Sequence, residues 1–142
     1  MHEAFHGVID SVARLPFEGE GGSLNEGFAD FFAASMMENP NLGEVSYKIA
    51  PFKRTVKNGL KLQDQKGSLY FDSGIVSGLL WNLRNDLGSE WGEQIAWKTL
   101  LRLNPDSQFS EFKTELLEVV RNLPEEFKVK AENVLHSRGW ID

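Results

Sequence analysis

The opening residues, MHEAFHGVID, carry two histidines four positions apart, with a glutamate directly after the first. On an α-helix this spacing sets the two imidazoles about 40° apart around the axis and roughly one turn along it, so both can reach one metal ion. His2 and His6 are therefore candidate ligands. Glu3 lies beside them, where its carboxylate can act as general base on a water polarised by that metal. Two histidines do not complete a catalytic zinc site, which takes three protein ligands and keeps one position open. The chain has no cysteine, so any metal must be held by His, Asp or Glu.

The best candidate for the third ligand is Glu26 in "LNEGFAD", 20 residues after His6 and near the start of a second helix. Asp30 follows one turn later on the same face. It could accept the free ring N–H of His2 or His6 and so fix the tautomer that offers the other nitrogen to zinc. Asn25 could do the same from the helix start. A competing use of Glu26 is structural: Ser23-x-x-Glu26 fits a capping box, and one carboxylate can hardly serve both ends.

The elements that must position these residues read as mostly helical. Residues 2–15 form the first helix, with Phe5, Val8, Ile9, Val12 and Leu15 recurring at three and four until Pro16 stops it. It starts without a capping side chain, since only Met1 precedes it. "FEGEGGS" reads as a glycine-rich loop. "SLNEGFADFFAASMMEN" then reads as a second helix capped by Ser23 and closed at Asn39-Pro40. From Pro40 to Leu69 the periodicity fades into an irregular segment with room for a short strand. Helices return over 73–87, 89–103 and 107–123, and the last runs from Pro124 to Arg138, with Gly139 as its left-handed cap. Trp81, Trp91, Trp97 and the phenylalanines at 28, 31 and 32 fall at helical spacing and read as core. The fold class is mainly α: a multi-helix bundle with an irregular middle segment.

HEAFH followed at this distance by "GGSLNEGFADFF" resembles the thermolysin and fungalysin families of zinc metallopeptidases. The resemblance implies Zn²⁺ held by His2, His6 and Glu26, Glu3 as base and proton shuttle, and Asp30 as the partner of His2. A second block, "YFDSGIVSGLLWNL", is similar to a segment whose first residue donates a hydrogen bond to the scissile carbonyl. Histidine usually stands there in these enzymes; Tyr70 stands there here, and a phenol can donate the same bond. The alternative reading of Tyr70 is an aromatic packed at a strand-to-helix junction. The resemblance spans residues 2 to about 90 and implies a C-terminal helical domain whose β-rich N-terminal half is not in the chain. Residues 1–142 are thus expected to be one helical zinc-binding catalytic subdomain cut from a longer protein, with Met1 added, or else a natural short product. The missing half is an implied partner, and a secreted or cell-envelope location is likewise implied.

Composition bounds the rest. A chain of 142 residues with 41% hydrophobic and 25% charged residues suits one domain with a core of its own. Its 21 acidic and 15 basic residues give a net charge of −6 without a basic run, which argues against nucleic acid and anionic membrane as partners. His136 reads as solvated, and Arg54 in "PFKRTVKNG" as part of a solvated basic loop rather than a substrate or structural arginine. The expected activity is zinc-dependent endopeptidase hydrolysis of a peptide or protein substrate, with the isolated chain weakly active or inactive. The alternative is a helical zinc-binding interaction module without turnover.

Overall fold

A computed structural model of the chain describes residues 1–42 and 54–142. Six α-helices are found among them: α1 His2–Val12, α2 Gly19–Met37, α3 Leu69–Leu87, α4 Ser89–Leu100, α5 Phe109–Arg121 and α6 Glu125–Ser137. Two short strands, β1 Asn41–Leu42 and β2 Arg54–Thr55, pair antiparallel with Asn41 opposite Thr55 and Leu42 opposite Arg54. A single 3₁₀ turn at Leu62–Asp64 precedes α3. The mainly α bundle expected from periodicity is the fold observed, and the irregular stretch from 40 to 69 contains both strands. Its residues 43–53 lie outside the described residues.

The central helix is α2, which packs against α1 on one flank and α3 on another, while α4 and α6 pack against α3 and α5 lies against α4 and α6. Phe28, Phe31, Leu79, Leu80, Leu83 and Phe112 are fully buried between them. Of the aromatics read as core, Trp81 is buried, but Phe32 is half-buried and Trp97 is 38% exposed at the edge of α4. Trp91 stacks on Phe127 with ring centroids 4.4 Å apart. Trp140, which carried no signal in the sequence, is buried against Phe109 and Phe112.

Helices α4 and α5 are shorter than expected by two or three residues at an end, and three other boundaries differ from the sequence expectation for a physical reason. Helix α1 stops at Val12, before Pro16, in a turn where Arg14 takes φ 53°. That early stop turns the carbonyls of Leu15 and Pro16 toward the side chain of Asn25. Helix α2 begins at Gly19, inside the stretch read as loop. There the glycines serve close approach: a Cβ on Gly22 would sit 2.8 Å from the backbone carbon of Phe17 and 2.9 Å from a methyl of Leu69. Ser23 is consequently inside the helix rather than capping it, and its hydroxyl donates to Leu69 O at 2.9 Å. Helix α3 starts four residues early, at Leu69. The buried Asp72 carboxylate accepts the backbone N–H groups of Lys66 and Gly67, both at 2.8 Å, and so fixes the turn that leads into it. The expected left-handed Gly139 is observed at φ 78°.

Candidate metal centre

Asn25, Glu26 and Asp30 project from α2 toward His2 and His6 on α1. With Ser23 inside the helix, Glu26 has no capping duty. Its two carboxylate oxygens face the two histidines, Oε1 at 3.1 Å from His6 Nε2 and Oε2 at 3.1 Å from His2 Nε2. The two Nε2 atoms are themselves 2.8 Å apart. One ligand atom from each of these three residues lies within 4.8 Å of the others.

The tautomer of His6 follows from its neighbours. Asn25 Nδ2 donates to Leu15 O at 3.0 Å and to Pro16 O at 3.1 Å, which uses both amide hydrogens. Asn25 Oδ1 is therefore an acceptor, and His6 Nδ1, 2.7 Å away, carries the proton. His6 Nε2 is left with its lone pair directed at His2 and Glu26. Glu26 Oε2 is buried without a hydrogen-bond partner. A lone pair, a carboxylate and a second imidazole nitrogen thus converge at separations that require a proton or a cation among them, either a proton on His2 Nε2 or a metal ion. Two imidazoles and a carboxylate, with a side left open, form a donor set that fits zinc.

Around His2 the balance is ionic. His2 Nδ1 lies 2.6 Å from Asp30 Oδ1, a close ion-pair contact in which the ring is turned off the line of an ideal hydrogen bond. Asp30 is held in turn by Arg54, whose Nε and terminal nitrogen donate to its two oxygens at 2.8 and 2.9 Å. The same guanidinium is 3.6 Å from Glu26 Oε2. Burial pulls the His2 imidazole down, but Asp30 and Glu26 together outweigh it and hold its pKa up to about 9. Burial acts in the opposite sense on Glu26 and Asp30, yet contact with His2, and for Asp30 also with Arg54, holds both carboxylates below their ordinary range.

The structure thus brings five of the anticipated residues, His2, His6, Asn25, Glu26 and Asp30, into one cluster. Glu3 stands at its rim, 89% exposed, with Oε1 3.9 Å from His2 Nε2. Tyr70 is in the first turn of α3 and 57% exposed. The Arg54 guanidinium carbon lies 5.3 Å from the centre of its ring. His136 is exposed on α6 and takes no part. Arg54 corrects the reading of a solvated loop, because it is a bidentate partner of Asp30 with its side chain 20% exposed. In the sequence its one cue was a basic residue in a loose match, since both carboxylates it meets lie more than 20 residues upstream.

No family model matches the chain. Individual relatives do. The neutral protease NprE of Bacillus pumilus is 29% identical over 140 residues, covering 86% of this chain and 47% of that protein. A zinc metalloproteinase of Listeria monocytogenes is 30% identical over 143 residues, covering 86% of this chain and 28% of that protein. The chain therefore spans between about a quarter and a half of the length of these relatives. Among solved structures, the precursor of protealysin, a metalloproteinase from Serratia proteamaculans, superposes with a TM-score of 0.83 over 99% of this chain and 56% of that one, at 19% identity. By sequence, then, the chain is a relative of the thermolysin-like neutral proteases, and its helical fold is that of part of a metalloproteinase precursor.

Proposed function

We propose that this chain carries the metal-binding half of a zinc-dependent endopeptidase site. The observation that supports this most is the convergence of His2 Nε2, His6 Nε2 and the Glu26 carboxylate within 4.8 Å, each backed by Asp30 or Asn25 or freed from capping. Zinc bound there would act as a Lewis acid and make a water acidic enough to lose its proton near neutral pH. Glu3, open to solvent beside His2, would serve as the general base that accepts a proton from water and as the acid that returns it to the departing amine. Tyr70 offers its phenol O–H to the carbonyl oxygen as negative charge develops on it. Asn25 and Asp30 hold the two imidazoles in the orientation that presents Nε2.

The relatives are longer than this chain, and Glu3 and Tyr70 are widely exposed. This supports a second statement: the 142 residues alone bind zinc but orient substrate poorly and turn over slowly. The remainder of a longer protein is the proposed partner and a peptide the proposed substrate. Secretion is the proposed location, as two of the relatives are named extracellular elastases. Among the described residues no helix is long and apolar enough to cross a membrane.

The test is kinetic. In a longer, active form, Glu3→Gln should abolish turnover with zinc content unchanged, since the amide keeps the shape and loses the base. Tyr70→Phe should reduce kcat by on the order of 10²–10³ at unchanged zinc affinity. Wild-type kcat in Glu3→Gln would refute the peptidase mechanism, and wild-type kcat in Tyr70→Phe would return Tyr70 to a packing role.

A further inference from the structure

Trp91, Ile95, Lys98 and Leu101 recur at three and four along α4 and its C-terminal cap, which sets them on one side of that helix. Between this side, α5 and the turn at residues 122–124 lies a groove of about 520 Å³, within the range of small-molecule sites. None of its lining residues belongs to α1 or α2, which carry the His2–His6–Glu26 cluster. The floor of the groove is apolar, with Ile95 and Val119 buried and Trp91 half-buried beside them. Stacking on Phe127 fixes the Trp91 ring as an end wall. Two of the charges that line the groove are neutralised by neighbours: Arg102 Nε lies 2.6 Å from Glu115 Oε2, and Glu118 Oε2 lies 2.6 Å from Arg121 Nη2. Lys98 is left as a cation without an ion-pair partner among the described residues. One ammonium above an apolar floor suits one carboxylate with an apolar tail. A doubly charged phosphate would meet a single cation and the Glu118 carboxylate as well. Seven residues of helix separate Lys98 from Trp91, about 10 Å, which is the reach of an extended chain of roughly eight carbons.

We infer that this groove is a binding site for an aliphatic monocarboxylate, with the carboxylate at Lys98 and the tail laid over Ile95 and Val119 toward Trp91. Burial of the tail supplies most of the affinity. The exposed ion pair adds little to it and selects the sign of the head group. The site owes nothing to the proposed metal chemistry, so it is testable in the metal-free chain.

Octanoate is the probe, titrated calorimetrically into the metal-free 142-residue chain. The chain has four tryptophans, so labelling with 5-fluorotryptophan gives four ¹⁹F resonances, and single Trp→Phe variants assign them. The expected result is saturable binding of one octanoate that moves the Trp91 line and leaves the line of the buried Trp140 in place. Octanol should bind about fivefold more weakly than octanoate, and Lys98→Met should lower octanoate to the affinity of octanol. Lys98→Glu should reject octanoate and accept octylammonium, because the groove keeps its floor and reverses its charge. An unmoved Trp91 line at saturating octanoate overturns the inference, as does equal octanoate affinity in wild type and Lys98→Glu. N-acetylleucine carries the same head group on a peptide-like body and should bind more weakly than octanoate; tighter binding would overturn the aliphatic tail and assign the groove to a peptide end. Octanoate binding that appears only after zinc loading would put the carboxylate on the metal and overturn the site as well.

Discussion

The floor of the cluster, around His6, is built from neutral groups, whereas its outer edge, around His2, is built from charges. His6 is 8% exposed and its ring is fixed by an amide that is itself fixed by two backbone carbonyls. His2 has a side chain 21% exposed, sits in an uncapped first turn, and is held by two carboxylates and, through Asp30, by a guanidinium. Neutral hydrogen bonds settle the tautomer of His6. The ionic edge leaves His2 free to carry a proton where a metal would otherwise sit, so metal and proton compete at the outer ligand.

Removing the amide should do the most damage. Asn25→Ala frees the His6 tautomer and leaves the carbonyls of Leu15 and Pro16 without their donor. Zinc affinity should fall roughly 10–100-fold. Stability should fall by about 1–3 kcal/mol, the range for a buried polar group left unpaired. Zinc titration and chemical denaturation read the two effects, and an undiminished denaturation midpoint would break the contrast between floor and edge.

Asp30→Asn tests the ionic side with little change of shape. Zinc affinity should fall about tenfold, the lower end for loss of a group that orients a ligand. The stability loss should be smaller than in Asn25→Ala, because the Arg54 side chain left behind is 20% exposed and can turn to water. A larger stability loss in Asp30→Asn would place the stronger constraint at the edge.

A further effect is in the metal-free chain as pH rises. The His2 pKa is raised in the fold from 6.5 to about 9. A raised pKa means the folded chain binds this proton more tightly, so the contribution is fully present below 6.5 and is lost as pH climbs toward about 9. Denaturation midpoints should therefore decline over that window, and His2→Gln should flatten the decline. A midpoint that rises over the window would contradict the charged edge.

Much of this contrast was legible in the sequence, because its parts are local. His2 and His6 share one helix face at a spacing of four, Glu26 and Asp30 share one face of the next helix, and Asn25 directly precedes Glu26. The same logic misplaced the start of α2. A glycine run normally marks a loop, but the contacts at Gly22, and at Gly27 where a Cβ would meet Val76 at 2.8 Å, show glycine allowing two elements to approach closely. Burial of Trp97 was overestimated because helical spacing identifies a face, and the partner of that face is set by tertiary packing. Arg54 was misread for a third reason: its partners are distant in sequence, and nothing within its own strand announces a carboxylate across the fold.

The central claim is that three side chains from two adjacent helices hold one zinc ion, and calorimetric titration of the chelator-treated chain tests it most directly. The account predicts one zinc per chain with release of a proton from His2 near neutral pH, and a large loss of affinity in Glu26→Ala, beyond the roughly 10–100-fold expected for an orienting residue. No zinc uptake by the folded wild-type chain, or Glu26→Ala binding zinc as tightly as wild type, would contradict it.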